Sequence, residues 1–462
     1  MDMERNNVEY PRRKYVQRLS ERRNNGLIKV ITGSRRAGKS YLMNELFHDE
    51  LIRTGVEESD ILRFAFDSDD DLDMLDGYLP EEDTRIKQRN GSYLVNSRKF
   101  RAYLKDWADG REDVYILLDE IQLLDGFVGT LNGLLRHSGY DIYVTGSNSR
   151  FLSSDIATEF RGRGSVIHVF PLMFAEYMEC SDSSAEDAWR DYIETGGIPI
   201  VAKMRSREER MDYLKILCEE TYLKDIVSRN DVRNTSALSD VFDVISSMIG
   251  APVNPTKIAN TFETVLGKGI TDDTVSDYIR YFEDAFMISR ARKYDVRGRR
   301  YIGTPYKLYF EDLGVRNARL NFRQIEETHI MENIIYNELR CRGFNVDVGQ
   351  VDVNERTDRT DVNGRPIYSK KSLEVDFIAT FGNNKYYIQS ALSIGDTDKA
   401  EQEKRPLRCI DDSFTKVVIT KDRLNVSRDD NGVVTMNLFD FLLDEDSLSR
   451  VRNPWTSARA SA

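Results

Sequence analysis

Residues 27–40 read Leu27-Ile28-Lys29-Val30-Ile31-Thr32-Gly33-Ser34-Arg35-Arg36-Ala37-Gly38-Lys39-Ser40, and the fold follows from this stretch. A short apolar, β-branched run (27–31) leads into a complete GxxxxGKS, and a helical pattern then runs from Lys39 to about Ile52. Strand, glycine-bounded loop and helix in that order make a phosphate cradle. The backbone N–H groups of Gly33, Ser34, Arg35, Arg36, Ala37 and Gly38 wrap the phosphates, and the helix N-terminus adds partial positive charge. Lys39 reaches the outer phosphates, Ser40 offers its hydroxyl to magnesium, and Tyr41 completes the nucleotide-binding set. The expected cofactors are ATP and Mg2+.

Further short apolar runs lie at 61–66, 114–118, 141–145 and 166–169, separated by helix-like segments at about 97–109, 125–137 and 172–179. Strands alternating with helices predict an α/β core with a parallel sheet covered on both faces. The run 115–120 (YILLDE) ends in two carboxylates, which places Asp119 at the carboxyl edge of the sheet beside the magnesium and leaves Glu120 to polarise the attacking water. A third strand ends in Thr145-Gly146-Ser147-Asn148-Ser149, where Asn148, or Ser147 in its place, can bond the water or the γ-phosphate. Arg161 and Arg163 follow in Glu159-Phe160-Arg161-Gly162-Arg163. Either can enter a neighbouring subunit's site as an arginine finger.

The bulk properties are those of a globular chain without a membrane span. There are 462 residues, 40% hydrophobic and 31% charged. No apolar run approaches the roughly 18 residues that a spanning helix needs. The basic N-terminus has no apolar segment of the secretory type. The four cysteines lie far apart without CxxC spacing, which argues against zinc and disulfides and for a reducing, cytoplasmic setting. The net charge of −12 is uneven. Residues 67–83 are strongly acidic and read as an exposed part of a mobile insertion over 68–92, whereas 290–300 carry six basic residues and one acidic.

Past residue 172 the pattern is helical, broken at Gly196-Gly197-Ile198-Pro199 and again at Gly250-Ala251-Pro252. Asn254 with Pro255, and Thr271 with two aspartates, read as the starts of two helices joined by Gly267-Lys268-Gly269. β-like segments follow near 289–295 and 300–310. Helix, turn, helix and hairpin is the order of a winged helix-turn-helix. A last helix near 329–342 then precedes strands at about 344–350, 373–380, 385–392 and 416–420.

Taken together, ITGSRRAGKS, LLDEIQ, TGSNS, the Arg161-Gly162-Arg163 step and Phe170-Pro171-Leu172-Met173-Phe174-Ala175-Glu176-Tyr177 resemble a group of prokaryotic AAA-type ATPases. The resemblance is strongest over 27–178 and spans about 10–440. It implies an AAA core, a helical lid containing the Gly196–Pro199 turn, a winged helix and a C-terminal domain related to restriction endonucleases. It also implies a ring or other homo-oligomer. The division it suggests is 1–172 for the ATPase core, 173–235 for the lid, 236–325 for the winged helix, 326–450 for the nuclease-like domain and 451–462 for a tail.

Two regions bear on what the ATPase acts upon. In the wing, Arg290, Arg292, Lys293, Arg297, Arg299 and Arg300 alternate with Tyr294 and Tyr301 and suit DNA phosphates. The helix before it carries Asp272, Asp273, Asp277, Glu283 and Asp284, a poor match to a polyanion. In the last domain, Leu373–Ile378 and Tyr386–Leu392 look like the PD-(D/E)xK core, with Glu332, Asp376 and Gln389 at metal-ligand positions. Ala391 stands where such a nuclease needs a lysine to stabilise the phosphate, so no nuclease activity is expected. Two readings of the whole remain. One is an ATPase coupled to DNA binding or remodelling; the other is an ATP-dependent switch on a protein client, with the nuclease-like domain serving assembly.

Overall fold

The apolar runs become strands of a parallel sheet. In chain order these are β1 (Ile28–Thr32), β2 (Ile61–Ala65), β3 (Arg85–Lys87), β4 (Tyr93–Val95), β5 (Val114–Asp119), β6 (Tyr140–Thr145) and β7 (Gly164–His168). The order is β2-β5-β6-β1-β7 and every pairing is parallel. Every residue of β1 and β5 is buried, as expected of strands with helices on both faces. Phe64, Phe66, Phe100, Ile116, Leu118 and Leu131 fill one side of the sheet. A parallel sheet sends all its carboxyl ends to one edge, so the loops after β1, β2, β5 and β6 meet there. The computed structural model describes residues 10–88, 91–146, 162–267, 269–360 and 366–452.

The acidic insertion departs from its expected character. Residues 69–73 form a helix capped by the Ser68 hydroxyl, and β3 pairs with β4. Leu72 and Leu75 are buried in the sheet's core. Asp71 accepts from the Ala65 N–H at 2.8 Å. The carboxylates stay outward while two leucines at i and i+3 turn inward, an amphipathic pattern that average acidity conceals.

Contacts divide the chain into two compact units: 1–171 with 198–200 and 284–286, and 172–197, 201–283 and 287–462. The second unit holds β8 (Pro252–Val253), β9 (Ile288–Asp295), β10 (Arg300–Phe310), β11 (Asn345–Thr360), β12 (Pro366–Phe381), β13 (Asn384–Ala391), β14 (Thr415–Thr420), β15 (Ser427–Arg428) and β16 (Val433–Asn437). All nine form one sheet, in the order β15-β16-β14-β13-β12-β11-β9-β10-β8. The helices Thr235–Ser247, Pro255–Leu266 and Asp272–Asp284 precede the β9–β10 hairpin. Asn254 caps the second of these through the N–H groups of Thr256 and Lys257, and Thr271 accepts from Thr274 N–H at the third. β11 pairs in parallel with β9 at Val348↔Lys293 and Gly349↔Tyr294, so hairpin and last strands share a sheet across the 325/326 division. β11 and β12 are each 16 residues long, about twice the runs the sequence suggests.

The Gly196–Gly197 turn is held by an aspartate far along the chain. Asp312 accepts from Gly197 N–H at 2.8 Å and from Val315 N–H at 3.0 Å, the latter as the cap of helix Leu313–Arg319. A Cβ on Gly197 would lie 2.2 Å from the Leu172 carbonyl oxygen, and one on Gly196 2.5 Å from the Asp312 carboxylate. Only glycines fit there.

Candidate functional site

The loop Gly33–Gly38 turns tightly between β1 and a helix that runs from Lys39 to Arg53, with a π-helical middle at Leu42–Phe47. Gly33 has φ of 143° and Gly38 of 91°, and Arg36 adopts a left-handed φ of 64°. A Cβ on Gly33 would meet the Val169 carbonyl oxygen at 2.2 Å. The Lys39 ammonium is buried and donates to the carbonyls of Gly33 at 3.0 Å and Ser34 at 2.9 Å. The Ser34 hydroxyl is buried without a hydrogen-bond partner. A buried ammonium resting on loop carbonyls, with an orphan hydroxyl beside it, fits a triphosphate that would take up both.

Asp119 ends β5 at the same edge and is 5% exposed. Asn44 donates to its Oδ2 at 3.3 Å. Ser40, exposed at the start of the same helix, and Asp119 are the hydroxyl and carboxylate that would hold a magnesium ion. Glu120 takes a left-handed φ of 51°, a conformation that non-glycine residues hold only where surroundings impose it. Its N–H donates to Thr145 Oγ1 at 3.1 Å, and Thr145 in turn donates to Asp119 Oδ1. Gln122 donates to the Glu120 carboxylate.

Sequence reasoning missed three residues of this edge: Asn44, Thr145 and Asp67. Asp67 follows β2, whose neighbour is β5, and the Phe66 N–H donates to the Asp119 carbonyl at 3.1 Å. Burial, with the charges of Asp119 and Glu120, raises the Asp67 carboxyl above its usual range. The apolar run ending in an acid was the available signal; strand order was not. Ser147, Asn148 and Arg161 lie outside the described residues. Arg163 lies at the other edge of the sheet: its carbonyl accepts from Ile28 N–H at 2.9 Å, at the first residue of β1. Its guanidinium reaches Asn132 at 3.4 Å.

The basic segment 290–300 is partly used within the fold. Arg290 donates to Glu283 at 2.8 Å and lies 4.2 Å from the Tyr306 ring centroid. Lys293 approaches Glu374 at 3.8 Å, Arg300 approaches Asp295 at 3.7 Å, and Arg297 donates to the Cys409 carbonyl at 3.2 Å. Arg292, Arg297, Arg299 and Arg300 remain exposed.

The nuclease-like quartet is divided. Glu332, on helix Glu327–Cys341, and Asp376, on β12, share one cluster with Lys307 and Glu374. Gln389 instead donates to Glu403 on helix Thr397–Arg408 at 3.3 Å, and Ala391 packs with Leu407 and Ile410. The Gln389 Oε1 oxygen is buried without a hydrogen-bond partner. A register shift explains Asp376: it and Phe377 both stand opposite Val348, and a bulge re-aims the side chain. Among the described residues, no group of three or more His, Cys, Asp or Glu is arranged to hold a metal ion.

Comparison with known proteins agrees with the first unit's geometry. A family model described as an AAA domain matches residues 25–178, and one described as a domain of unknown function (DUF8612) matches 186–326. An uncharacterised protein of Haemophilus influenzae is 28% identical over 438 residues, 94% of this chain and 98% of its own. One of Methanocaldococcus jannaschii is 26% identical over 406 residues, covering 83% and 79%. Among solved structures, Aeropyrum pernix ORC2 has a TM-score of 0.33 at 12% identity, over 74% of this chain and 95% of its own. Aeropyrum pernix ORC1 in complex with DNA has 0.29 at 12%, over 69% and 95%. The stretch 25–178 is thus similar to an AAA domain. No helix among the described residues is long and apolar enough to cross a membrane.

Proposed function

We propose that this protein hydrolyses ATP with magnesium and works as a homo-oligomer. The observation that carries the reading is the shared sheet edge, where Lys39, Ser40, Asp119 and Glu120 converge from β1 and β5. Lys39 and the loop N–H groups bind the β- and γ-phosphates; Ser40 and Asp119 hold Mg2+, whose charge offsets that developing on the transferred phosphoryl group. Glu120 orients and polarises the attacking water, with Asn148 or Ser147 as its partner from the end of β6. Thr145 positions Glu120 by fixing its backbone. Arg163 leaves the sheet at the edge away from the phosphate loop, which supports action of Arg161 or Arg163 on a neighbour's nucleotide rather than its own. The test is phosphate release from ATP by the purified chain. It should need Mg2+ and vanish in Lys39→Ala; turnover without Mg2+, or unchanged in that variant, defeats the reading.

We further propose that hydrolysis is coupled to DNA through the exposed Arg292, Arg297, Arg299 and Arg300, in a winged-helix domain over 236–325 that follows a lid at 173–235. The order helix, strand, helix, helix, hairpin supports it, with β8 pairing to β10. The strand order β14-β13-β12-β11 with helices before and within it supports a nuclease-like fold for 326–450. A second reading, a switch on a protein client, is favoured by a specific observation: Arg290, Lys293, Arg297 and Arg300 already face carboxylates or a carbonyl of the same chain. Filter binding with linear, single-stranded and four-way DNA, with and without ATP, separates the two. Both place the protein in the cytoplasm.

A further inference from the structure

The residues at the centre of the nuclease-like domain do not fit the divalent metal that its fold implies. Lys307 enters from β10, beside the wing, and is 5% exposed. Its ammonium lies 2.8 Å from Glu332 Oε1 and 2.8 Å from Glu374 Oε1. Tyr309, two residues on and hence on the same face of the strand, donates to the same Glu332 oxygen at 2.6 Å. Asp376 Oδ2 accepts from Ser390 N–H at 2.8 Å. The Ser390 hydroxyl is buried without a hydrogen-bond partner.

A magnesium or manganese ion needs about six oxygens at roughly 2.1 Å. An ammonium needs acceptors at about 2.8 Å and supplies its charge from within the chain. The distances here are those of the ammonium. Burial works against the charge of Lys307, but Glu332, Asp376 and Glu374 outweigh it and hold the proton more tightly than in an ordinary lysine. Burial and the Glu332 charge raise the Asp376 carboxyl well above the ordinary carboxylate range.

We propose that Lys307 is a resident cation: its ammonium occupies the position among Glu332, Glu374 and Asp376 that a divalent metal would take, so the intact domain binds no metal there, and removing it opens a site for Mg2+ or Mn2+. The lysine missing at Ala391 has no equivalent on its own strand; the one that arrives does a different task. It neutralises buried carboxylates and ties β10 to β12 and to helix Glu327–Cys341. The proposal is independent of the ATPase reading, because its test uses nucleotide-free protein.

The test is Mn2+ titration of the full chain, read by electron paramagnetic resonance and by thermal melting. Lys307→Met keeps the stem and removes the charge. It should bind one Mn2+ per chain more than the wild type, with Mn2+ raising its melting temperature and leaving that of the wild type unmoved. Lys307→Met/Glu332→Gln should lose the added ion. If Lys307→Met is insoluble, its recovery on refolding with Mn2+ supports the proposal, and failure to recover counts against it. A wild-type Mn2+ site that disappears in Glu332→Gln overturns the proposal, as does a folded Lys307→Met chain that binds no additional ion at millimolar Mn2+.

Discussion

At the scale of single residues the nucleotide site sets three expectations. Lys39 is the buried cation of the loop. Its replacement by alanine should lower ATP affinity by about 10- to 100-fold or more, the equivalent of a charged hydrogen bond or two. Titration with a fluorescent ATP analogue checks this, and retained sub-micromolar affinity contradicts the assignment. Glu120→Gln keeps shape and hydrogen bonding but cannot polarise water. Binding should persist while kcat falls by about 10²- to 10⁴-fold. Near-normal turnover would mean that another group orients the water. Gly33→Ala puts a methyl 2.2 Å from the Val169 carbonyl oxygen. The atoms it meets are all Val169 backbone rather than a flexible side chain, so the loop must shift. A loss of about 1–3 kcal/mol in urea unfolding is expected.

At the scale of elements, Asp312 serves two masters. Its carboxylate both caps helix Leu313–Arg319 and takes the Gly197 N–H. Asp312→Ala should cost about 1–3 kcal/mol, more than an ordinary cap, because a buried N–H is orphaned as well. Asp312→Asn keeps one acceptor oxygen and should cost less; equal losses in the two variants on thermal melting would show that the carbonyl acceptor is immaterial. The β9–β10 hairpin makes a second case. β11 runs alongside β9, so the hairpin is not a free wing. If its exposed side binds DNA, reversing Arg297, Arg299 and Arg300 should weaken binding and flatten its dependence on salt.

At the scale of the whole molecule, the proposed arginine finger is the feature that a single chain cannot test. Substituting the true finger among Arg161 and Arg163 should suppress hydrolysis by on the order of 10³-fold while each subunit still binds ATP. Mixing that variant with Lys39→Ala should restore partial turnover, since composite sites then combine an intact loop with an intact finger. A mixture of two oligomeric variants that stays inactive refutes the in-trans role.

What the sequence determined by itself is what consecutive residues encode. Gly33–Ser40 specifies a turn, a helix start and a phosphate cradle within eight residues, and the run ending in Asp119–Glu120 specifies a buried strand and its polar end. The caps at Asn254 and Thr271 are equally local. Tertiary structure decided everything that depends on which strands become neighbours. Asn44 and Thr145 meet the Asp119 carboxylate, and Phe66 beside Asp67 meets its carbonyl, only because β5 lies between β2 and β6 and the helix after the loop packs over that edge. The insertion at 68–92 was misread because two buried leucines weigh little among many aspartates. Most of all, a search for the missing cation along β13 could not find Lys307, since it reaches Glu332 and Glu374 from β10, through a sheet that joins the wing to the last domain. Hydrogen bonds within a turn are set by the chain's own geometry, whereas charge pairing across strands is set by long-range packing, which no spacing in the sequence records.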